Sequence, residues 1–448
     1  MYNGNIYFSL DDGKLLVSNW NVLHKRLAEK LPDWLRPLHN HGLLARIDDD
    51  EQVVEVTASS IVDDQLLAKL KTLPKLKKLY IEASKPVTEG GFAHVGEMAA
   101  LESLEVYSIT VPNDALRHLA RLSSLRELTI NNARIGDAGV EHLKGLSQLR
   151  VLRLEGNSIT DAGLAHLKEL TNLEVLDIAQ SNWENSRMQI SDAGLATVAR
   201  FTRLRELDIG RLPITDEGFA KLAGLRELRQ LRLAGTRITG DGLRALANFQ
   251  NLESLSLGGP SFDDAAMQHV AKCPHLKHLS LRYTSVGDDG FRRIGWLGRL
   301  ERLSLDSRFV TDAGLAHLSS LKNLKHIELR ATRVTDKSLE HISKIASLTR
   351  LELSGSGEPG VHIGRIFTAV GYAHLAKMSN LQTLWIDNAD VSWTELRGLK
   401  QLKSLALFMP TMSADGVRRL QKELPDTHVS ASSGGGFILQ PTFEKVLE

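Results

Sequence analysis

One leucine recurs along most of this chain at a constant spacing, and that spacing constrains the fold more than any other feature. Leu125, Leu149 and Leu173 follow one another at steps of 24 residues. The full series is Leu76, Leu101, Leu125, Leu149, Leu173, Leu204, Leu228, Leu252, Leu276, Leu300, Leu324, Leu348, Leu381 and Leu402. Self-similarity at a period of this length indicates a repeat architecture in which each unit stacks on its neighbours.

The apolar residues change their spacing within one repeat. Leu152 and Leu154 alternate with polar residues, which favours a strand. Leu164, Leu167 and Leu170 recur every three residues, which favours a short helix. Such a unit cannot bury its own apolar face, so the sequence predicts a stack of strand–turn–helix units.

The turn before this helix carries its own signals. Thr160 offers an N-cap hydroxyl, and Asp161 places a negative charge near the positive end of the helix. Gly163 is expected to leave room for the helix to lie against the strand layer.

The pattern L-x-x-L-x-L followed by T-D-A-G-L resembles the leucine-rich repeats over roughly residues 50–429. The form I-T-D-A-G-L-A-H-L-K is similar to cytoplasmic bacterial members, and residues 271–281 are similar to F-box and ribonuclease-inhibitor-like repeats. The resemblance implies a right-handed α/β solenoid, or horseshoe, of about 14–15 repeats. Its parallel β-sheet would line the concave face and its short helices the convex face. Repeats of this family bind many unrelated partners.

The repeat divides the chain into three segments. Residues 1–47 do not fit it, and their leucines predict an N-terminal helical cap or, as an alternative, a partner-docking helix. Residues 48–429 are the predicted solenoid, with insertions near 179–189 and 354–370 that emerge from one rim. Residues 430–448 are predicted to be a linker or a C-terminal cap.

Composition narrows the compartment and the class of partner. The formal net charge is +1, which gives no bulk reason for binding nucleic acid or an anionic membrane. Cys273 is the single cysteine, and the first residues lack the basic and apolar regions of a signal peptide. We therefore expect a cytoplasmic monomer with no membrane span.

The residues between the strand leucines should point out of the core and form columns across the sheet. The early columns are acidic, with Glu82 and Glu105 among their members, whereas the later ones combine arginine, histidine and aromatic residues, a composition typical of binding hot spots. The predicted partner-binding residues are His278, Arg282, Tyr283, Arg302, His326, Arg330, Arg350, Trp385, Phe408 and, in the first insertion, Trp183. The alternative is a solvated charge mosaic in which Asp306, Glu328 and Glu352 pair with the arginines.

The sequence offers few candidates for catalytic or metal-binding residues. A histidine recurs once per repeat on the helix side, but helices about 8–10 Å apart cannot bring such residues to one zinc ion. The sequence has no nucleotide-binding glycine loop with a following Lys-Ser/Thr, no G-x-S-x-G and no H-E-x-x-H. Cys273 is expected to be buried. We therefore predict no catalytic residue, metal or cofactor.

The sequence thus predicts a non-enzymatic scaffold that binds a protein partner in the concave groove. The alternative is a substrate-recognition subunit of a larger enzyme complex, such as a ubiquitin-ligase-like assembly, with residues 1–47 docking the catalytic partner.

Overall fold

The computed structural model describes residues 10–11, 14–15, 31–35, 43–59, 62–82, 86–182, 186–330, 333–354, 367–387, 391–408, 412–433 and 436–439. The chain divides into two compact units, Met1–Gln189 and Ile190–Glu448. Within the described residues, each unit is a stack of strand–turn–helix repeats.

In the first unit, the strands from β4 to β9 pair in parallel and in chain order. The strands are β1 (Leu10–Asp11), β2 (Lys14–Leu15), β3 (Leu43–Ile47), β4 (Val53–Ser59), β5 (Lys78–Glu82), β6 (Ser103–Tyr107), β7 (Glu127–Asn131), β8 (Val151–Arg153) and β9 (Val175–Asp177). The helices are α1 (Asp64–Leu70), α2 (Glu89–Val95), a 3-10 helix (Asn113–Arg121), α3 (Asp137–Glu141) and α4 (Asp161–Ala165).

In the second unit, the strands from β10 to β19 pair in parallel in the same way. The strands are β10 (Glu206–Asp208), β11 (Gln230–Arg232), β12 (Ser254–Gly258), β13 (His278–Arg282), β14 (Arg302–Asp306), β15 (His326–Arg330), β16 (Arg350–Ser354), β17 (Thr383–Asp387), β18 (Ser404–Phe408), β19 (His428–Ser433) and β20 (Gly436–Leu439). The helices are α5 (Leu195–Val198), α6 (Asp216–Ala220), α7 (Met267–Val270), α8 (Asp288–Ile294), α9 (Asp312–Ala316), α10 (Asp336–Ser343), α11 (Ala369–Leu375), α12 (Trp393–Leu396) and α13 (Ala414–Glu423). The 3-10 helices are Lys221–Gly224, Gly242–Asn248 and His317–Ser320.

The core lies between the strands and the helices of each unit, as the leucine spacing predicts. Leu152 and Leu154 are fully buried, and so are the helix-side residues Leu164 and Leu167. Burying such side chains contributes roughly 1.5–3 kcal/mol each. The residues between the strand leucines lie on the opposite face of the sheet, which we call the open face.

Successive repeats are joined by an aspartate and a threonine. Thr160 caps α4 by accepting a hydrogen bond from the N–H of Ala162 (3.2 Å), as predicted. Its own N–H and hydroxyl donate to the two carboxylate oxygens of Asp137 in the preceding repeat, at 2.8 and 2.6 Å. The same joint is present at Asp64–Thr88, Asp192–Thr215, Asp216–Thr239, Asp288–Thr311, Asp312–Thr335 and Asp336–Thr368.

This joint also explains the glycine of the repeat. A Cβ atom at Gly163 would lie 2.1 Å from Oδ1 of Asp137. The glycine is therefore needed to admit the carboxylate of the preceding repeat, rather than only to bring the helix close to the strands. By contrast, a Cβ atom at Gly145 would have no atom within 4 Å.

A buried asparagine closes one turn of the first unit. The Nδ2 group of Asn157 donates to the carbonyls of Ile130 and Leu154, at 2.7 and 2.8 Å. Its Oδ1 atom accepts from the N–H groups of Ala133 and Ile135, both at 3.1 Å. The side chain thereby satisfies backbone groups that burial would leave unpaired.

Antiparallel strands lie at both ends of the described chain. β3, which falls in the segment predicted as a helical cap, pairs antiparallel with β4. β20, in the predicted C-terminal segment, pairs antiparallel with β19. Leu31 and Leu35 are buried, but most of the predicted cap helix, and most of the insertion near 354–370, lies outside the described residues.

Candidate functional site

The open face of strands β13–β16 brings together most of the predicted partner-binding residues. His278, Arg302, His326 and Arg350 are opposite one another on successive strands. A second row consists of Arg282, Asp306 and Arg330. Since neighbouring strands are about 4.8 Å apart, these side chains form one patch, which we call the arginine patch.

Glu328 is the first of two buried carboxylates within this patch. It is only 9% exposed. Its Oε2 atom accepts a hydrogen bond from the Ser304 hydroxyl at 2.6 Å, and its Oε1 atom accepts one from Nε of Arg330 at 2.5 Å. Arg282 approaches Oε2 at 3.5 Å. Burial raises the pKa of Glu328, but the hydrogen bonds from Ser304 and Arg330 outweigh it and leave the pKa below its usual value.

Glu352 is the second buried carboxylate, one strand further on. Its Oε1 atom lies 3.0 Å from Nε2 of His326 and 2.7 Å from Nε of Arg350. The hydrogen bond with His326 is the largest cause of a pKa lowered to about 2; burial opposes the shift, and Arg350 adds to it. Both carboxylates are therefore ionised at neutral pH, and each accepts a hydrogen bond from an arginine whose side chain reaches solvent.

The guanidinium groups of the patch remain available to a ligand. The side chains of Arg282 and Arg350 are 50% and 52% exposed although each approaches a buried carboxylate. Arg302 is exposed and forms no ion pair with any residue the structure describes. Burial, and next the charge of Arg302, lower the pKa of His278. The arrangement holds several cations at fixed positions and leaves their outer edges in water.

Tyr283, directly after β13, is the most exposed large apolar residue of the described chain, at 74%. Its φ angle is +58°, in the left-handed region. One and two repeats earlier, the same turn position is occupied by Gly259 and Gly235, which also have positive φ. A bulky residue in this conformation costs roughly 1–2 kcal/mol. The left-handed turn also occurs at Arg211 (φ +60°), three repeats before Tyr283, so it is a property of the repeat and not of this position alone.

The remaining predicted partner-binding residues differ in how far they are exposed. Trp385, on β17, is opposite Glu352 and Ala406 and is only partly exposed. Phe408, on β18, is 36% exposed. Trp183 lies outside the described residues, so its predicted role as an interface anchor stays a prediction.

Two exposed aromatic residues are not among the residues predicted from the sequence. Trp296 is 70% exposed just after α8, and Phe309 is 53% exposed in the turn after β14. Comparing repeats gives a signal for the first, because Lys272 and Ser320 occupy the equivalent positions 24 residues away on either side. The comparison of repeats could therefore have predicted that Trp296 is an exposed aromatic residue.

A groove of about 630 Å³ lies elsewhere in the second unit, with Trp393, Met412 and Arg419 in its walls. None of the nine predicted residues that the structure describes lines it. The arginine patch is instead an open surface, a shape that suits a macromolecule better than an enclosed small ligand.

The described residues contain no group of three or more histidine, cysteine or acidic side chains placed to hold a metal ion. Cys273 is 3% exposed, and burial raises the pKa of its thiol to about 11, which confirms that it is a buried thiol and poorly suited to nucleophilic chemistry. Among the described residues, no helix is both long and apolar enough to cross a membrane.

Comparison with known proteins identifies the repeat. The family model described as leucine rich repeat matches residues 123–182, and a second model of that description matches residues 225–247 and 272–294. No curated protein sequence matches the chain.

Three solved structures are similar to the chain, and the first of them shares its fold. An internalin from Listeria monocytogenes is 20% identical, with a TM-score of 0.52 over 75% of this chain and 87% of that chain. A leucine-rich repeat protein from Leptospira interrogans is 19% identical, with a TM-score of 0.49 over 82% of this chain and 87% of that one. The structure of a TLR13–ssRNA13 complex is 18% identical, with a TM-score of 0.48 over 81% of this chain and 57% of that one.

The 24-residue period, the parallel strands and the two family models give one conclusion. The chain contains leucine-rich repeats, and the fold that such repeats build commonly serves as a protein-interaction scaffold.

Proposed function

We propose that this leucine-rich repeat protein is a non-enzymatic scaffold that binds a protein partner on the arginine patch. One observation carries the proposal: Glu328 and Glu352 are buried within the open face and orient arginines whose outer edges remain in water. A surface that only had to remain soluble would not need two buried carboxylates to position its cations.

The composition of the patch supports a protein partner. Arginine and tyrosine are enriched in binding hot spots, and a guanidinium group recognises a carboxylate through two parallel hydrogen bonds. Arg302 and Tyr283 are exposed on neighbouring strands or the turns that follow them. The partner segment that best complements this charge is acidic and carries an apolar group for the Tyr283 ring.

The charge mosaic predicted as the alternative is present in part, since Glu328 and Glu352 do pair with arginines and with His326. The pairing, however, is unequal. Glu328 and Glu352 are buried while their arginines are exposed, and Asp306, which lies between Arg282 and Arg330, is the half-buried exception. Positive charge therefore predominates on the surface offered to a ligand. We therefore retain the binding surface, and we extend it to Trp385 and Phe408 on the next two strands.

We propose that the protein is a cytoplasmic monomer that needs no cofactor, and that the arginine patch binds neither nucleic acid nor a membrane. The adaptor alternative uses the same patch for the substrate and residues 1–47 for the catalytic subunit. The two alternatives can be distinguished because only the adaptor would be found together with a catalytic subunit as well as the bound partner.

A site-specific photocrosslinking experiment tests the proposal. A photoreactive amino acid replaces Arg302 in one variant and His317, an exposed residue on the helix side of the same unit, in a matched control. After irradiation in cells, a discrete protein joined at position 302 but not at position 317 supports the proposal. Crosslinking at both positions alike, or at neither, contradicts it. An enzyme subunit recovered together with the crosslinked partner favours the adaptor alternative.

A further inference from the structure

Two tyrosines and two glutamates form a four-membered cluster on the open face of the first unit. On β5 and β6, Tyr80 is directly opposite Glu105, and Glu82 is directly opposite Tyr107. The two rings therefore lie on one diagonal, with their centroids 5.2 Å apart and their planes at 30°. The two carboxylates occupy the other diagonal.

The tyrosine hydroxyls hold these carboxylates beside the rings. The Tyr80 hydroxyl donates to Oε2 of Glu82 at 3.2 Å, and the Tyr107 hydroxyl donates to Oε2 of Glu105 at 2.9 Å. Burial and the neighbouring glutamates raise the pKa of both tyrosines, so both hydroxyls stay protonated. The cluster is a fixed arrangement of two aromatic faces and two negative charges.

The cluster differs from the second unit in its cations. There, arginines and a histidine pair with Glu328 and Glu352. In contrast, neither Glu82 nor Glu105 forms an ion pair with any residue the structure describes. Arg153 is in the same row, and its backbone is two strands from Glu105, or about 10 Å at ordinary strand spacing. Its charge acts to lower the pKa of Tyr107, but burial and Glu105 outweigh it.

An independent observation on the next strand indicates a missing donor. Asn131 is directly opposite Tyr107 and is 7% exposed. Its Oδ1 atom is buried and has no hydrogen-bond partner within the described part of the chain. A buried acceptor of this kind costs roughly 1–3 kcal/mol if it stays unpaired, so a ligand that carries N–H donors would satisfy it.

We propose that Tyr80, Glu82, Glu105 and Tyr107 form a binding site for an organic cation, namely a lysine or arginine side chain of a basic peptide. The ring faces attract the cation through their quadrupoles, and the carboxylates supply opposite charge. An ammonium or guanidinium group can also donate to Oδ1 of Asn131. The site is in the first unit and does not depend on the function proposed for the arginine patch.

The test measures binding of a fluorescent peptide with four lysines alternating with glycines to the full-length protein, by anisotropy at physiological salt. The same peptide with every lysine acetylated is the neutral control. Glu82→Gln, Glu105→Gln and Tyr80→Leu should each weaken binding by a factor of about 5–10, as loss of a charge or of a cation–π contact implies. Glu141→Gln removes the same charge from α3 and should change affinity less than twofold.

The possible outcomes distinguish a specific cation-binding site from general electrostatic attraction between the basic peptide and the protein. Weakening by the three cluster variants alone supports the proposal, and circular dichroism melting confirms that each variant folds. If Tyr80→Leu does not fold, the two conservative glutamine variants decide the question. Equal binding of the acetylated peptide, equal weakening by Glu141→Gln, or no binding up to millimolar protein overturns the proposal. If no photocrosslink forms at position 302 while the lysine peptide still binds, only the proposal for the arginine patch is contradicted.

Discussion

The carboxylate of Asp137 accepts hydrogen bonds from both the N–H and the hydroxyl of Thr160, 23 residues further along the chain. One side chain thus joins two repeats and also occupies the space above Gly163. The joint recurs through both units, and it provides the first prediction.

Gly163→Ala should destabilise the first unit by about 1–3 kcal/mol, because the new methyl group would displace a carboxylate that pairs two buried or half-buried donors. The measurement is urea unfolding followed by circular dichroism. Gly145→Ala is the matched control, since its Cβ atom meets nothing within 4 Å, and it should be neutral or slightly stabilising. Equal effects of the two substitutions would show that the joint contributes nothing.

Tyr283→Asn should stabilise the protein by about 0.5–1 kcal/mol while weakening partner binding, because asparagine tolerates the left-handed conformation better than tyrosine. Chemical denaturation checks the first effect, and binding to the crosslinked partner checks the second. Trp296→Asn is the control, since Trp296 is almost as exposed but has no positive φ. A gain in stability from both variants would mean that removing an exposed aromatic ring, and not relief of strain, is the cause.

Glu352 should make stability depend on pH in the acidic range. Its folded-state pKa of about 2 is below the value near 4.3 of an unfolded glutamate, so its contribution is complete above pH 4.3 and declines as the pH falls towards 2. Glu352→Gln should therefore flatten the decline in unfolding free energy between pH 4.5 and 2 by roughly 1–3 kcal/mol. Thermal melts across this range measure the difference, with exposed Glu217→Gln as the control that should follow the wild type. A Glu352→Gln curve parallel to the wild-type curve would refute the pairing with His326 and Arg350.

Charge reversal at Arg302 should chiefly slow association with the partner and change its salt dependence, because exposed charges at an interface steer encounter. Trp385→Ala should weaken binding by on the order of 2 kcal/mol, as hot-spot truncations do. Since Trp385 is partly buried, its unfolding free energy is measured in parallel.

His317→Ala on the helix side is the control for both binding variants and should leave association unchanged. If it abolishes binding while Arg302→Glu and Trp385→Ala have no effect, the partner contacts the helices, and the assignment of the open face is wrong.

The leucine spacing was sufficient to predict the fold and the strand register. Because side chains alternate across a strand, placing Leu279 and Leu281 in the core also places His278 and Arg282 on the open face. The rows of the arginine patch follow from that register. Fold and row membership are thus properties of a single repeated pattern.

The details within the rows depend on contacts between repeats that are distant in sequence. The sequence shows Glu328 among arginines, but its burial and its bond to Ser304, 24 residues away, depend on packing. The left-handed backbone at Tyr283 was missed because the residue was considered for its aromatic ring. Its alignment with Gly259 and Gly235 was the available signal. Asp161 was interpreted only through its own helix, whereas the equivalent Asp137 acts on the next repeat.

The joint between repeats also bears on how such a chain lengthens during evolution. Duplication of one 24-residue segment copies both its aspartate and its threonine. The duplicate can therefore form the hydrogen-bonded joint with the repeat on each side without any further mutation. The pair Asp336–Thr368 spans 32 residues instead of 23 and keeps both hydrogen bonds, so a loop of nine extra residues was accepted within the repeat while the joint was inherited intact.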